Sequence, residues 1–100
     1  MQDEVPEFLR LEGIDKTLAD RGKTYGAFKE QARLTQTLKT VMRTGDNWNG
    51  DLADDMRDDM REALDMIASK IARILNGDPT HKDSWHDIIG YAKLIEDTLE

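Results

Sequence analysis

Apolar residues recur at three- and four-residue steps along this chain, the spacing that lines one side of an α-helix. Ile14 and Leu18 open the pattern and predict a short helix over about residues 13 to 21, with Gly22 placed to stop it. Phe28, Leu34, Thr35, Leu38, Val41 and Met42 then share one wide stripe, predicting a second helix from about 25 to 43. Lys29, Arg33, Thr40 and Arg43 fall on its other side. The turn formers of TGDNWNGD, residues 44 to 51, predict a loop. A third stripe of Met56, Met60, Ala63, Leu64, Ile67, Ile71, Ile74 and Leu75 predicts a helix over 52–76. Asn76-Gly77 ends it and Asp78-Pro79 prevents its continuation. Thr80 or Asp83 can cap a fourth helix that reaches nearly to Glu100, with Trp85, Ile88, Ile89, Ala92, Ile95 and Leu99 as its buried face. Alternating β-branched runs are absent, and the only valines are Val5 and Val41. The expectation is an all-α fold: a small bundle of three to four helices over residues 13–100, preceded by an acidic arm over residues 1–12. So few helices leave stripe residues short of cover, so a homo-oligomer is expected.

Composition narrows the chemistry. One hundred residues make one small domain with a modest core, and 38% hydrophobic content is enough for a folded chain. The chain has no cysteine, which removes disulfides and thiolate metal sites. No apolar run is long enough for a membrane span, and the acidic MQDEVPEF start is unlike a signal peptide, so a cytoplasmic protein is expected. A net charge of −7 argues against general DNA binding, which needs a basic surface. That average conceals two opposed segments. Arg21, Lys23, Lys29, Arg33, Lys39 and Arg43 stand against Glu30 alone in residues 21–43. Residues 46–65 hold Asp46, Asp51, Asp54, Asp55, Asp58, Asp59, Glu62 and Asp65 against Arg57 and Arg61. The two segments either pack side by side and neutralise one another or present charged surfaces to partners.

The GKT of RGKTYG raises the question of a P-loop. That motif requires a glycine five positions before Gly22, where Thr17 stands, and a strand before it, where DKTLADR is helical. The motif fails on both counts. Arg21 and Lys23 can still meet phosphate by simpler means, with the free N–H groups of a helix starting near Tyr25 and the Tyr25 ring to stack on a base. In DLADDMRDDMREALD, Asp55, Asp58, Asp59, Glu62 and Asp65 share one side of a helix, where carboxylates supply magnesium ligands or form a solvated face. Asp83, Asp87 and Tyr91 follow at four-residue steps on one edge of the last helix, a set suited to a metal or a ribose. His81 and His86 lack a zinc-binding spacing, and Ser69 and Ser84 lack a nucleophile elbow.

RGKTYGAF, REALDMIASKIARILNGDP and DSWHDIIGYAKLIE together resemble a group of small phage and prophage proteins. The layout, a YG followed by a K-x-x-R-I helix and a D-x-x-x-Y helix, is similar to the nucleotide modification associated domains of phages. More distantly it looks like the all-α, MazG-like nucleotide pyrophosphatases. The resemblance spans residues 18 to 97. It implies nucleotide handling, with Lys70 and Arg73 joining Arg21, Lys23 and Tyr25 around phosphates and a base, and Asp87 and Tyr91 nearby. It also implies a possible magnesium site at Asp58, Asp59 and Glu62 with Asp83 and Asp87, although DDMRE replaces the E-E-x-x-E of the enzymes with shorter aspartates. The leading expectation is a module that holds a nucleotide or nucleotide-derived signal without chemistry. A magnesium-dependent pyrophosphatase and an acidic inhibitor of a host protein are the alternatives.

Overall fold

The structure is a computed structural model that describes residues 7–50 and 55–100, with side-chain surroundings from residue 13 onward. It is all-α, as the periodicity requires. Helix α1 spans Glu7–Tyr25, α2 Phe28–Met42, the single turn α3 Asp46–Asn49, α4 Asp58–Asn76 and α5 Lys82–Glu96. Among the described residues no strand occurs, and no helix is long and apolar enough to cross a membrane.

Helix α4 is the axis of the molecule, with α2 on one flank and α5 on the other. Both neighbours run antiparallel to it. Arg43 at the end of α2 pairs with Asp65 at 3.6 Å, early in α4, and Lys70 pairs with Asp87 across the α4–α5 hairpin at 3.1 Å. The basic and acidic segments are therefore neighbours, as one reading of the charges required. Among the described residues Arg43–Asp65 is the ion pair that crosses between them; Arg33–Glu30, Arg57–Asp59 and Arg61–Asp58 are local. Small residues let the helices approach closely. Among the described residues the buried apolar ones are Trp48, Ala63, Ala68 and Ala72, and Gln31, Thr35, Lys70 and Ser84 are buried as well. This is a thin core for a chain of this length.

Several boundaries differ from the sequence expectation, each for a local reason. Helix α1 passes straight through Gly22, because one helical glycine costs only about 1 kcal/mol and is outvoted by its neighbours. The stop comes four residues later at Gly26, whose φ of 80° lies in the left-handed region. Its N–H donates to the Gly22 carbonyl at 2.8 Å. Tyr25 therefore closes α1 instead of opening α2, and the boundary expected at residue 13 falls inside α1. Residues 1–6 of the expected arm lie outside the described residues. The expected loop at 44–51 contains α3, and α4 starts at Asp58, with Asp51 to Asp54 outside the described residues.

Gly77 caps α4 as expected. Neither Thr80 nor Asp83 caps α5. Its first residue follows His81, and Asp78 organises the approach by accepting the Thr80 N–H at 2.9 Å and hydroxyl at 2.7 Å. Those bonds, with His81 nearby, hold the Asp78 carboxyl below its ordinary value. The largest correction concerns α5, which turns Ser84, Asp87, Ile88, Tyr91 and Ile95 toward cover. It leaves Trp85, Ile89, Ala92 and Leu99 exposed, four residues expected in the core.

Candidate functional site

Two segments far apart in sequence are joined at one end of the layer. The Asn76 side-chain amide donates to the Tyr25 carbonyl at 3.0 Å and to the Ala27 carbonyl at 2.9 Å, while the Asp78 N–H donates to the Thr24 carbonyl at 2.7 Å. Glycine is needed on both sides of this joint. A Cβ on Gly26 would collide with the Asn76 carbonyl oxygen, and one on Gly77 with the Thr24 carbonyl oxygen and Tyr25 backbone. The joint holds the end of α1 against the end of α4, and so brings Arg73 to Tyr25.

The Arg73 guanidinium carbon lies 4.5 Å from the Tyr25 ring centroid, and that of Arg21, one turn earlier on α1, lies 5.5 Å from it. His81 meets the same ring edge-on at 5.6 Å. Leu18, Arg21, Tyr25, Phe28, Gln31 and Arg73 line a cleft of about 280 Å³. The first turn of α2 opens on it at Ala27 and Phe28, without a side-chain cap. Uncapped N–H groups at a helix start favour an anion. Phe28, expected in the core, is instead 78% exposed on this cleft. No carboxylate among the described residues pairs with Arg21 or Arg73, and the buried Arg73 Nε has no hydrogen-bond partner there.

A second arginine–aromatic cluster at the other end of α2 makes a useful comparison. The guanidiniums of Arg43 and Arg61 lie 5.4 Å and 6.0 Å from the Trp48 ring centroid. There the cations are satisfied: Arg43 pairs with Asp65, and Arg61 pairs with Asp58 and donates to the Trp48 carbonyl at 3.1 Å. The Trp48 cluster is closed and structural. The Tyr25 cluster has the same parts without the carboxylates.

The remaining candidates separate from this cleft. Lys23 is exposed on α1 and does not line it. Lys70 faces α5, buried to 8% exposure against Asp87, and does not line the cleft with Arg21, Tyr25 and Arg73. Asp87 and Tyr91, with His86, Gly90 and Leu94, line an open groove of about 490 Å³ on α5. Asp58, Asp59 and Glu62 sit in the first turns of α4, whereas Asp83 sits at the start of α5, beside the far end of α4. The length of a helix, on the order of 25 Å, separates the two sets. Asp58 is fully solvated, Asp59 accepts from Arg57 at 3.0 Å, and Asp83 lies 4.0 Å from His81. These carboxylates do not converge, and the described residues contain no group of three or more potential metal ligands.

Arg21 and Tyr25 were singled out from RGKTYG, though on two different helices, but Phe28, Gln31 and the Asn76 clamp were not. Their one signal is a pair of glycines, each following a residue with strong side-chain chemistry, in Tyr25-Gly26 and Asn76-Gly77. No curated protein and no solved structure matches the chain. A family model described as Domain of unknown function (DUF6378) matches residues 11–99, and the chain belongs to that family.

Proposed function

We propose that the chain is a binding module for a small anionic ligand with an aromatic ring, a nucleotide or nucleotide-derived molecule, held in the Tyr25 cleft without chemistry. The observation that carries this reading is the pair of arginines, Arg21 and Arg73, beside one tyrosine with no carboxylate partner among the described residues, in a chain with net charge −7. Elsewhere in the fold the equivalent arginines around Trp48 have acidic partners. Phosphate oxygens suit the two guanidinium forks and the uncapped start of α2, and exposed Phe28 offers a stacking face for a base. The cleft volume fits a ligand of nucleoside monophosphate size better than a large dinucleotide. The separated carboxylate sets favour holding over magnesium-assisted hydrolysis.

Isothermal titration with nucleoside mono-, di- and triphosphates and with inorganic phosphate, each with and without magnesium, tests the reading. Saturable binding that does not require magnesium and returns the ligand intact is expected. Arg21→Gln with Arg73→Gln should weaken it by at least about tenfold, since charge-assisted hydrogen bonds contribute about 1.5–3 kcal/mol each. Unchanged affinity in a folded double variant would remove the site, and consumption of the ligand with magnesium would restore the hydrolase.

A further inference from the structure

Opposite the ion pairs, the layer formed by α2, α4 and α5 has an apolar face that nothing among the described residues covers. Its composition follows from helical geometry. Lys70 and buried Ala63, seven residues before it, define the side of α4 toward α5. Asp65 and buried Ala72, seven residues after it, define the side toward α2. Leu64 and Leu75 fall between these two sides. On α5, Trp85, Ile89 and Leu99 form a stripe about a quarter-turn from the side that meets α4, and the antiparallel pairing turns this stripe to the same side as Leu64 and Leu75. Val41 of α2 extends the face. All six are exposed, at 38% to 64%. The described side chains of α1 before its last turn, residues 13–23, are themselves exposed and do not cover them.

We infer that this face is the interface of a two-fold dimer of the chain, two copies packing apolar face to apolar face. The exposed area permits it. The chain exposes 7500 Å², where a compact monomer of its mass exposes about 5,800 Å²; the exposed length of α1 carries part of that excess, and the apolar face adds to it. The core argues for it. One tryptophan and three alanines are the buried apolar residues of the described chain, and a domain requires two packed layers to bury its helices.

Charge selects a second copy as the occupant. Along the stripe from Trp85 through Ile89, Ala92 and Leu99, Glu96 is the one charged residue, and Met60, Leu64, Ile71 and Leu75 carry none. The excess negative charge is carried elsewhere, so two acidic chains can meet here without opposing their charges. A self-complementary apolar patch is what a two-fold interface requires.

Sedimentation velocity on the full chain, from roughly 1 to 100 µM, tests the assignment. The expected mass is twice the 11.4 kDa of one chain. Leu64→Glu with Ile89→Glu should shift the population at least about tenfold toward monomer. Leu94→Glu, on the other side of α5 and equally exposed at 65%, should leave the mass unchanged. A wild-type monomer throughout the range overturns the proposal, whether the face is covered by another part of the chain or by a different protein. A dimer untouched by the Leu64/Ile89 change overturns the choice of face. If that variant fails to fold, the wild-type melting temperature decides: it rises with protein concentration for a dimer, and a concentration-independent value overturns the proposal.

Discussion

Two glycines four residues apart in RGKTYG should respond in opposite directions to the same substitution. Gly26→Ala places a Cβ on a residue at φ 80°, which costs about 1–2 kcal/mol for an L side chain in the left-handed region. The new methyl also collides with the Asn76 carbonyl oxygen and comes within 2.9 Å of its carbon, so the joint must open. Opening it lengthens the Asn76 bonds to the Tyr25 and Ala27 carbonyls, at 3.0 and 2.9 Å, and the Asp78 bond to Thr24, at 2.7 Å. Each is worth about 1 kcal/mol net. The total is about 3–5 kcal/mol, a large share of the 5–15 kcal/mol typical of a small domain. Gly22→Ala meets nothing within 4 Å. It sits inside α1, where alanine in place of glycine gains about 0.5–1 kcal/mol.

Thermal unfolding and urea unfolding, each followed by far-UV circular dichroism at one fixed protein concentration, measure both. Gly26→Ala should lower the melting temperature by about 15–30 °C, at the several degrees per kcal/mol of a domain this size, and Gly22→Ala should be neutral to slightly stabilising. A Gly26→Ala variant within 1 kcal/mol of wild type would refute the close-approach argument. A Gly22→Ala variant that proved the more damaged would restore Gly22 as the end of the first helix, and with it a different path for the chain into α2.

The Lys70–Asp87 pair should show the asymmetry of a partly buried ion pair. Asp87→Ala leaves an ammonium at 8% residue exposure without its carboxylate, costing about 1–3 kcal/mol after allowance for the 44% exposed Asp87 side, while Lys70→Met should be nearly neutral. Urea midpoints rank the two, and the reverse order would show that lysine, not charge pairing, holds α4 to α5. Asp78 sets a pH dependence. Its folded pKa is lowered, so its stabilisation is present above the ordinary carboxylate value and is lost as pH falls through that range toward the folded value. Stability measured from about pH 6 to pH 3 should therefore fall less steeply in Asp78→Asn than in wild type; parallel curves would dismiss the Thr80 bonds as its cause.

The four long helices and their order were legible because stripes at 3.6-residue spacing are local, while the single turn α3 has no stripe to show; Gly77 was legible as a stop because Pro79 follows so closely. Helix facing was not. Trp85, Ile88, Ile89, Ala92 and Ile95 form one apolar arc on paper, but α4 covers only the Ile88–Ile95 side of it, the side on which Ser84 is buried and Asp87 pairs with Lys70. A stripe records that something covers a helix, never which neighbour does. The same limit moved Phe28 from the core to the rim of a cleft. At the site, Arg21 and Tyr25 were singled out as a cation and a ring at a junction between two helices, whereas they share one turn of α1, and Arg73 was singled out with them through family resemblance. What no local pattern conveys is the contact itself, which depends on Gly26 and Gly77 allowing two backbones to touch across 51 residues of chain.

The position of the cleft has a mechanical consequence. Helix α1 joins the body at its last turn, where the Asn76 clamp sits, and residues 13–23 before it lie exposed. Arg21 belongs to that exposed stretch, and Arg73 belongs to α4, the helix flanked on both sides. A ligand engaging both cations would therefore bridge α1 and the body of the layer. The apolar face lies on the opposite side of the layer from the Arg43–Asp65 and Lys70–Asp87 pairs, and the cleft opens beyond Arg73, away from Leu64 and Leu75. A second copy seated on that face leaves the cleft open. The proposed dimer and the proposed ligand would thus use separate surfaces of one thin layer, the first making up for its small core and the second for its unpaired arginines.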